Sequence, residues 1–146
     1  MKAVVTIALF VFLRTASLVG QERQVLHGPG EVRGLPFSSA VRVGNMLYLS
    51  GQIGNVPGTR QLADTGIAGQ TRQALENIKA VLVSAGSSLD RTVKCTVFLA
   101  DIKDYAAMNA VYATFFPKDP PARSTVAGSG LAFGARVEIE CMATTG

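Results

Sequence analysis

The 146-residue sequence is poor in the groups on which most enzyme sites are built. Its single histidine, His27, excludes the usual multi-histidine metal sites and leaves no His pair for ribonuclease-type acid–base chemistry. Its two cysteines, Cys95 and Cys141, are too few for a disulfide framework. There is no Gly-x-Ser-x-Gly elbow and no Walker loop. Gly128, Gly130 and Gly134 do not follow a strand and open a helix, as a dinucleotide site requires. Basic residues are scattered singly, with no Lys/Arg run and no aromatic residues interleaved in a basic stripe, so a nucleic-acid partner is not expected. What is present is 48% apolar and 16% charged residues without a collagen period or heptads. That composition belongs to one ordinary globular domain.

The first twenty residues, MKAVVTIALFVFLRTASLVG, differ from the rest. A Lys at position 2, an apolar run from Ala3 to Leu13 and a small-residue exit at Ser17 or Gly20 have the layout of a secretory signal peptide. The run rises only about 16 Å as a helix, against a hydrocarbon core of about 30 Å, so no stable membrane association is expected. A retained amphiphilic N-terminal strand is the other reading of the same residues. On the first reading, residues 1–20 are a leader, residues 21–146 form the domain, and the protein is exported or periplasmic. On the second it is cytoplasmic. Part of the +4 formal charge then belongs to the leader, through Lys2 and Arg14.

Gln21–Gly34 reads as a lead-in strand or loop with His27 solvated. Val41–Val43 and Met46–Ser50 form a hairpin about Gly44-Asn45, and Gly54–Gly66 is a long loop. Ile67, Thr71, Ala74, Leu75, Ile78, Val81, Leu82 and Ala85 recur at helical spacing, with Gln70, Arg72, Gln73, Glu76 and Lys79 facing away and Gly86 as the stop. Arg91–Ala100 alternates Val93, Cys95, Val97 and Leu99 against Thr92, Lys94, Thr96 and Phe98, as a half-buried strand does. Tyr105–Phe116 is a second helix, with Asp101 or Asp104 placed to favour its start. Ser124–Ala127 and Arg136–Ala143 are two further strands, split by Gly128–Gly134. Two hairpin-like pieces and two helices predict an α+β fold, a sheet with helices on one face.

Few residues are left for chemistry. Cys95 and Cys141 lie inside predicted strands, where buried inert thiols are the common outcome; an exported chain allows them to pair, but the sequence gives no distance. Arg123 follows the rigid Pro120-Pro121-Ala122 and has the fork that grips a carboxylate. Glu138 and Glu140 share one face of the last strand. Read from the residues alone, Arg123 and Glu138 form either a site or an ordinary edge salt bridge.

Pro36-Phe37-Ser38-Ser39-Ala40, Leu49-Ser50-Gly51-Gln52-Ile53, Gln70–Asn77, Thr96-Val97-Phe98-Leu99, Met108-Asn109-Ala110-Val111-Tyr112, Pro121-Ala122-Arg123-Ser124-Thr125-Val126 and Val137-Glu138-Ile139-Glu140 occur in this order. Together they resemble the RidA (YjgF) family of reactive-intermediate deaminases, from about Pro36 to Ala143. The most specific element is Pro-Ala-Arg-Ser with a Glu fifteen positions after the Arg. The resemblance implies a chorismate-mutase-like α+β fold, a mixed sheet with two helices on one face, assembled as a homotrimer with sites between subunits. It implies hydrolysis of 2-imino acids or their enamine tautomers, of the 2-iminobutanoate and 2-iminopropanoate type, to 2-oxo acids and ammonia, without metal or organic cofactor. On that basis Arg123 matches the residue that holds the substrate carboxylate and Glu138 the acid that positions water and passes protons. Phe37, Ser50, Gly51, Asn109 and Thr125 match cleft-lining positions. Phe37 stands where deaminating members usually carry Tyr, and Gly130 where an Arg is common. A non-catalytic ligand- or protein-binding trimer is the alternative, and a ribonuclease or translation inhibitor a weaker one.

Overall fold

The computed structural model describes residues 22–146, so Met1–Gly20 and the leader reading lie outside the described residues. Seven strands, β1 (Arg23–Leu26), β2 (Ala40–Val43), β3 (Met46–Leu49), β4 (Gln52–Ile53), β5 (Thr92–Leu99), β6 (Ala122–Ala127) and β7 (Val137–Thr144), form one mixed sheet. Its order is β1-β2-β3-β7-β5-β6, with β4 also pairing to β7. Helices α1 (Ile67–Ser84) and α2 (Tyr105–Phe115) pack on one face. The expected α+β architecture is what the chain adopts.

The hairpin of β2 and β3 turns at Gly44, whose φ of 59° suits glycine, and Asn45. The second hairpin does not form. The β5–α2–β6 crossover lays β6 parallel to β5 at the sheet edge, and β7 enters between β3 and β5, antiparallel to both. Because β5 lies between β6 and β7, the connection from one to the other has to cross it and is too wide for a tight turn.

Between sheet and helices lies the core, with Leu47, Leu75, Ile78, Leu82, Leu99, Met108 and Ile139 fully buried. In β5, Cys95, Val97 and Leu99 point into it as alternation predicts. Val93 does not, being 48% exposed, because the β5–β7 register slips between Thr92 and Lys94. Helix α1 ends in two bonds, Gly86 N–H to Val83 O and Ser87 N–H to Leu82 O, with Gly86 at φ 76°.

Gln70 departs from the amphipathic pattern and is 1% exposed. Its Nε2 donates to Asp64 O at 2.9 Å, and its Oε1 accepts from Arg136 N–H at 2.8 Å. A buried amide with both ends bonded is stable where an unpartnered one is not. Arg136 also donates Nε and an Nη to both oxygens of Asp104, at 2.9 and 2.7 Å. Asp101, not Asp104, caps the short turn before α2, by accepting from Lys103 N–H. These bonds tie the entry of β7 to both helices, two residues before Glu138.

Candidate active site

Strand β5 fixes where Arg123 and Glu138 stand. Arg123 pairs across β5 with Cys95, which is buried in the core layer. Glu138 pairs with Phe98, whose parity is opposite. The two residues therefore leave opposite faces of the sheet. They are also separated by two strand spacings and three residue rows, about 10 Å in each direction. No ion pair joins them among the described residues, so the edge salt bridge is not what forms.

On the helix face, Arg123 lies against α2. Its guanidinium carbon is 4.6 Å from the Tyr112 ring centre and 5.8 Å from that of Tyr105, and it donates to the Tyr105 hydroxyl at 3.3 Å. Asn109, and then Arg123, hold the Tyr105 hydroxyl below its ordinary pKa. Burial pushes Tyr112 up to about 12, against the pull of Arg123, so it is neutral at working pH. Thr125 follows Arg123 on the same face of β6, and its Oγ1 is buried without a partner. Arg123 and Asn109 thus meet at the tyrosines of α2, with the cation held by aromatic faces, and Thr125 lies two residues along the same face of β6.

On the other side, Glu138, Gly51 and Phe37 line a cavity of about 330 Å³. Glu138 is half-buried and has no hydrogen-bond partner among the described residues; burial, and secondarily the charge of Glu140, raises its pKa above the ordinary carboxylate range. Gly51 lets this carboxylate lie across the backbone, since a Cβ there would overlap Glu138 Oε1. Ser50, beside it, donates its hydroxyl to Ser38 O at 2.6 Å, joining the strand end to the segment that carries Phe37. The ring of Phe37 is 55% exposed.

Sequence reasoning did not single out Tyr105, Tyr112 or Glu31. The tyrosines are seven residues apart on one helix, a spacing that places them on one face, but nothing local says that β6 passes over that face. Glu31 lines the Glu138 cavity and accepts from Ser39 Oγ at 2.6 Å and His27 Nδ1 at 2.9 Å, which together lower its pKa. His27 is otherwise exposed, as expected.

Cys95 and Cys141, neighbours across β5 and β7, are disulfide-bonded. No group of three or more His, Cys, Asp or Glu residues among the described residues is arranged to hold a metal ion. No described helix is long and apolar enough to cross a membrane.

Residues 33–145 match the family described as Endoribonuclease L-PSP. A RutC family protein of Pyrococcus horikoshii is 46% identical over 108 residues, covering 74% of this chain and 86% of its own. A human protein named 2-iminobutanoate/2-iminopropanoate deaminase is 38% identical over 131 residues, covering 90% of this chain and 94% of its own. Among solved structures, a Rid family protein from Yersinia pestis superposes with a TM-score of 0.79 at 41% identity, covering 85% of this chain and all of that one.

Proposed function

The chain belongs to the endoribonuclease L-PSP family, and on that premise we propose that it hydrolyses 2-imino acids, or their enamine tautomers, to 2-oxo acids and ammonia. The observation that carries the proposal is the state of Glu138: a half-buried carboxylate, without a partner, held proton-hungry above a glycine in a cavity. A general base needs that combination of access and raised affinity for a proton.

The reaction asks little more of the protein. The carbon of a protonated imine is already electrophilic, so no covalent intermediate with the enzyme is required. Glu138 takes a proton from water as its oxygen bonds to C2, giving a carbinolamine. The proton passes to nitrogen, the C–N bond breaks with its electron pair leaving on ammonia, and the hydroxyl proton departs as the carbonyl forms. One water is consumed for each ammonia released. Positioned acid–base groups contribute about 10²–10⁴-fold, and the substrate carboxylate is oriented by the Arg123 fork.

Because Arg123 and Glu138 leave opposite faces, one copy does not supply both. We therefore take the site to be shared, with Arg123 of the partner subunit facing Glu138, in a homotrimer. The outer sheet face supports this assembly, with Tyr48, Val126 and Met142 exposed on it at 44%, 50% and 39%. Export through Met1–Gly20 is part of the same proposal, supported by the Cys95–Cys141 bond, since disulfides persist in oxidising compartments. N-terminal sequencing of secreted or periplasmic protein tests it, and a chain that still begins at Met1 there rejects it.

The activity test is semicarbazide-competed loss of 2-iminopropanoate generated by an amino-acid oxidase. The wild type accelerates the loss and Arg123→Ala abolishes the acceleration. Equal rates for the two would reject hydrolysis organised by Arg123. Thermal stabilisation by 2-oxo acids without turnover would instead favour a binding trimer.

A further inference from the structure

The cavity holding Glu138 is larger than a methyl or ethyl side chain requires. Its 330 Å³ falls within the usual range for small-ligand sites. Its walls are mainly apolar, with Val32, Leu35, Phe37, Ile53, Val81 and Phe133 among them. In a single copy Phe37 and Phe133 are 55% and 54% exposed, unusual for two phenylalanines that share one hollow.

Phe133 is held there at a cost. Its backbone has φ 56° and ψ 20°, a left-handed conformation rarely adopted by bulky residues. Its ring lies 5.8 Å from the Arg60 guanidinium carbon, which reaches it from the loop between β4 and α1. Strain of this kind persists where the surrounding structure over-determines it, and it concentrates at ligand-binding positions. The one carboxylate in the cavity besides Glu138, that of Glu31, already accepts from Ser39 and His27. It offers little to a cationic side chain.

We propose that this cavity is a side-chain subsite, with Phe133 and Phe37 as walls, which directs the chain toward 2-imino acids bearing aromatic or long branched apolar side chains. The inference rests on the deaminase reading and specifies its substrate class. A phenyl or isobutyl group covers the two exposed rings and displaces water from an apolar hollow, whereas a methyl group leaves most of it wet.

The test compares kcat/KM for imines generated by an amino-acid oxidase from phenylalanine, leucine and alanine, in wild type, Phe133→Ala and Val32→Trp. The phenylalanine- and leucine-derived imines should exceed the alanine-derived one by about tenfold or more. Both variants should lower that ratio, one by removing a wall and the other by filling the hollow. Circular dichroism and thermal melts confirm that the variants fold. If the alanine-derived imine is hydrolysed as fast as the others, or the ratio is the same in all three proteins, the subsite is overturned while the deaminase reading stands. If no imine is hydrolysed, the deaminase reading fails. Binding of 3-phenyl-2-oxopropanoate against 2-oxopropanoate, measured by calorimetry, then decides the subsite separately: tighter aromatic binding that Phe133→Ala weakens sustains it, and equal binding removes it.

Discussion

The Arg123 guanidinium lies 4.6 Å above the Tyr112 ring, on a tyrosine whose hydroxyl is buried without a hydrogen-bond partner. The ring and the hydroxyl therefore have separable consequences. Tyr112→Leu removes the aromatic face that steadies the cation and should raise KM about five- to tenfold. Tyr112→Phe keeps the face and deletes an unsatisfied polar atom, so KM should hold and the thermal midpoint should stay level or rise. Steady-state kinetics with a melting curve for each variant check both.

Gly51 is the cheapest place to disturb Glu138 without touching it. A Cβ at position 51 overlaps the carboxylate, so Gly51→Ala must turn Glu138 away from its resting position. The expected result is a fall in kcat of about a hundredfold with far-ultraviolet circular dichroism unchanged. Undiminished kcat would show that the carboxylate need not lie where it does.

The pH profile should carry the signature of Glu138. A base must be ionised to act, so kcat/KM falls as pH drops through its pKa, and burial with the nearby Glu140 places that limb above the ordinary carboxylate range. Glu140→Gln removes one of the two causes and should move the limb down; Glu138→Gln should abolish activity. The stability linkage has the opposite sense. A carboxyl whose folded pKa is raised contributes stability at low pH that is lost as pH rises through that folded value. Glu138→Gln should therefore match or exceed the wild type in thermal stability at neutral pH.

The disulfide closes a loop of 46 residues, worth about 4 kcal/mol in the chain-entropy account. A reductant, or the double variant Cys95→Ala/Cys141→Ala, should lower the melting temperature by about 15 °C. Calorimetry with and without dithiothreitol measures this, and identical midpoints would show that the bond adds nothing.

Local patterns carried most of the architecture. The helical spacing from Ile67 to Ala85 and the alternation of Cys95, Val97 and Leu99 are properties of short segments, and the chain folds accordingly. The misread positions all depend on a distant partner. Gln70 turns inward because the Arg136 amide needs an acceptor 66 residues away, Val93 turns outward because the pairing slips opposite β7, and β6 joins β5 because α2 returns it there. The site shows the same division. Shared parity of Glu138 and Glu140 follows from one strand, but whether Arg123 shares their face depends on the register of two others. Family resemblance selected Arg123 and Glu138 from a background of ordinary charges; spacing alone favoured a salt bridge.

The opposite-face placement of Arg123 and Glu138 also carries a consequence for the shared site proposed above, a form of control that no single folded copy would possess. Under the shared site proposed above, a lone chain carries two half-sites that face away from one another, and competence becomes a matter of population. On dilution, specific activity should collapse while every copy remains folded, following the mass-action law of assembly and not a denaturation curve. Two inactive variants, Arg123→Ala and Glu138→Ala, should rescue one another on mixing and reassembly, restoring about a quarter of the sites by random combination. Under that proposal the chain would be chemically silent at concentrations too low for assembly.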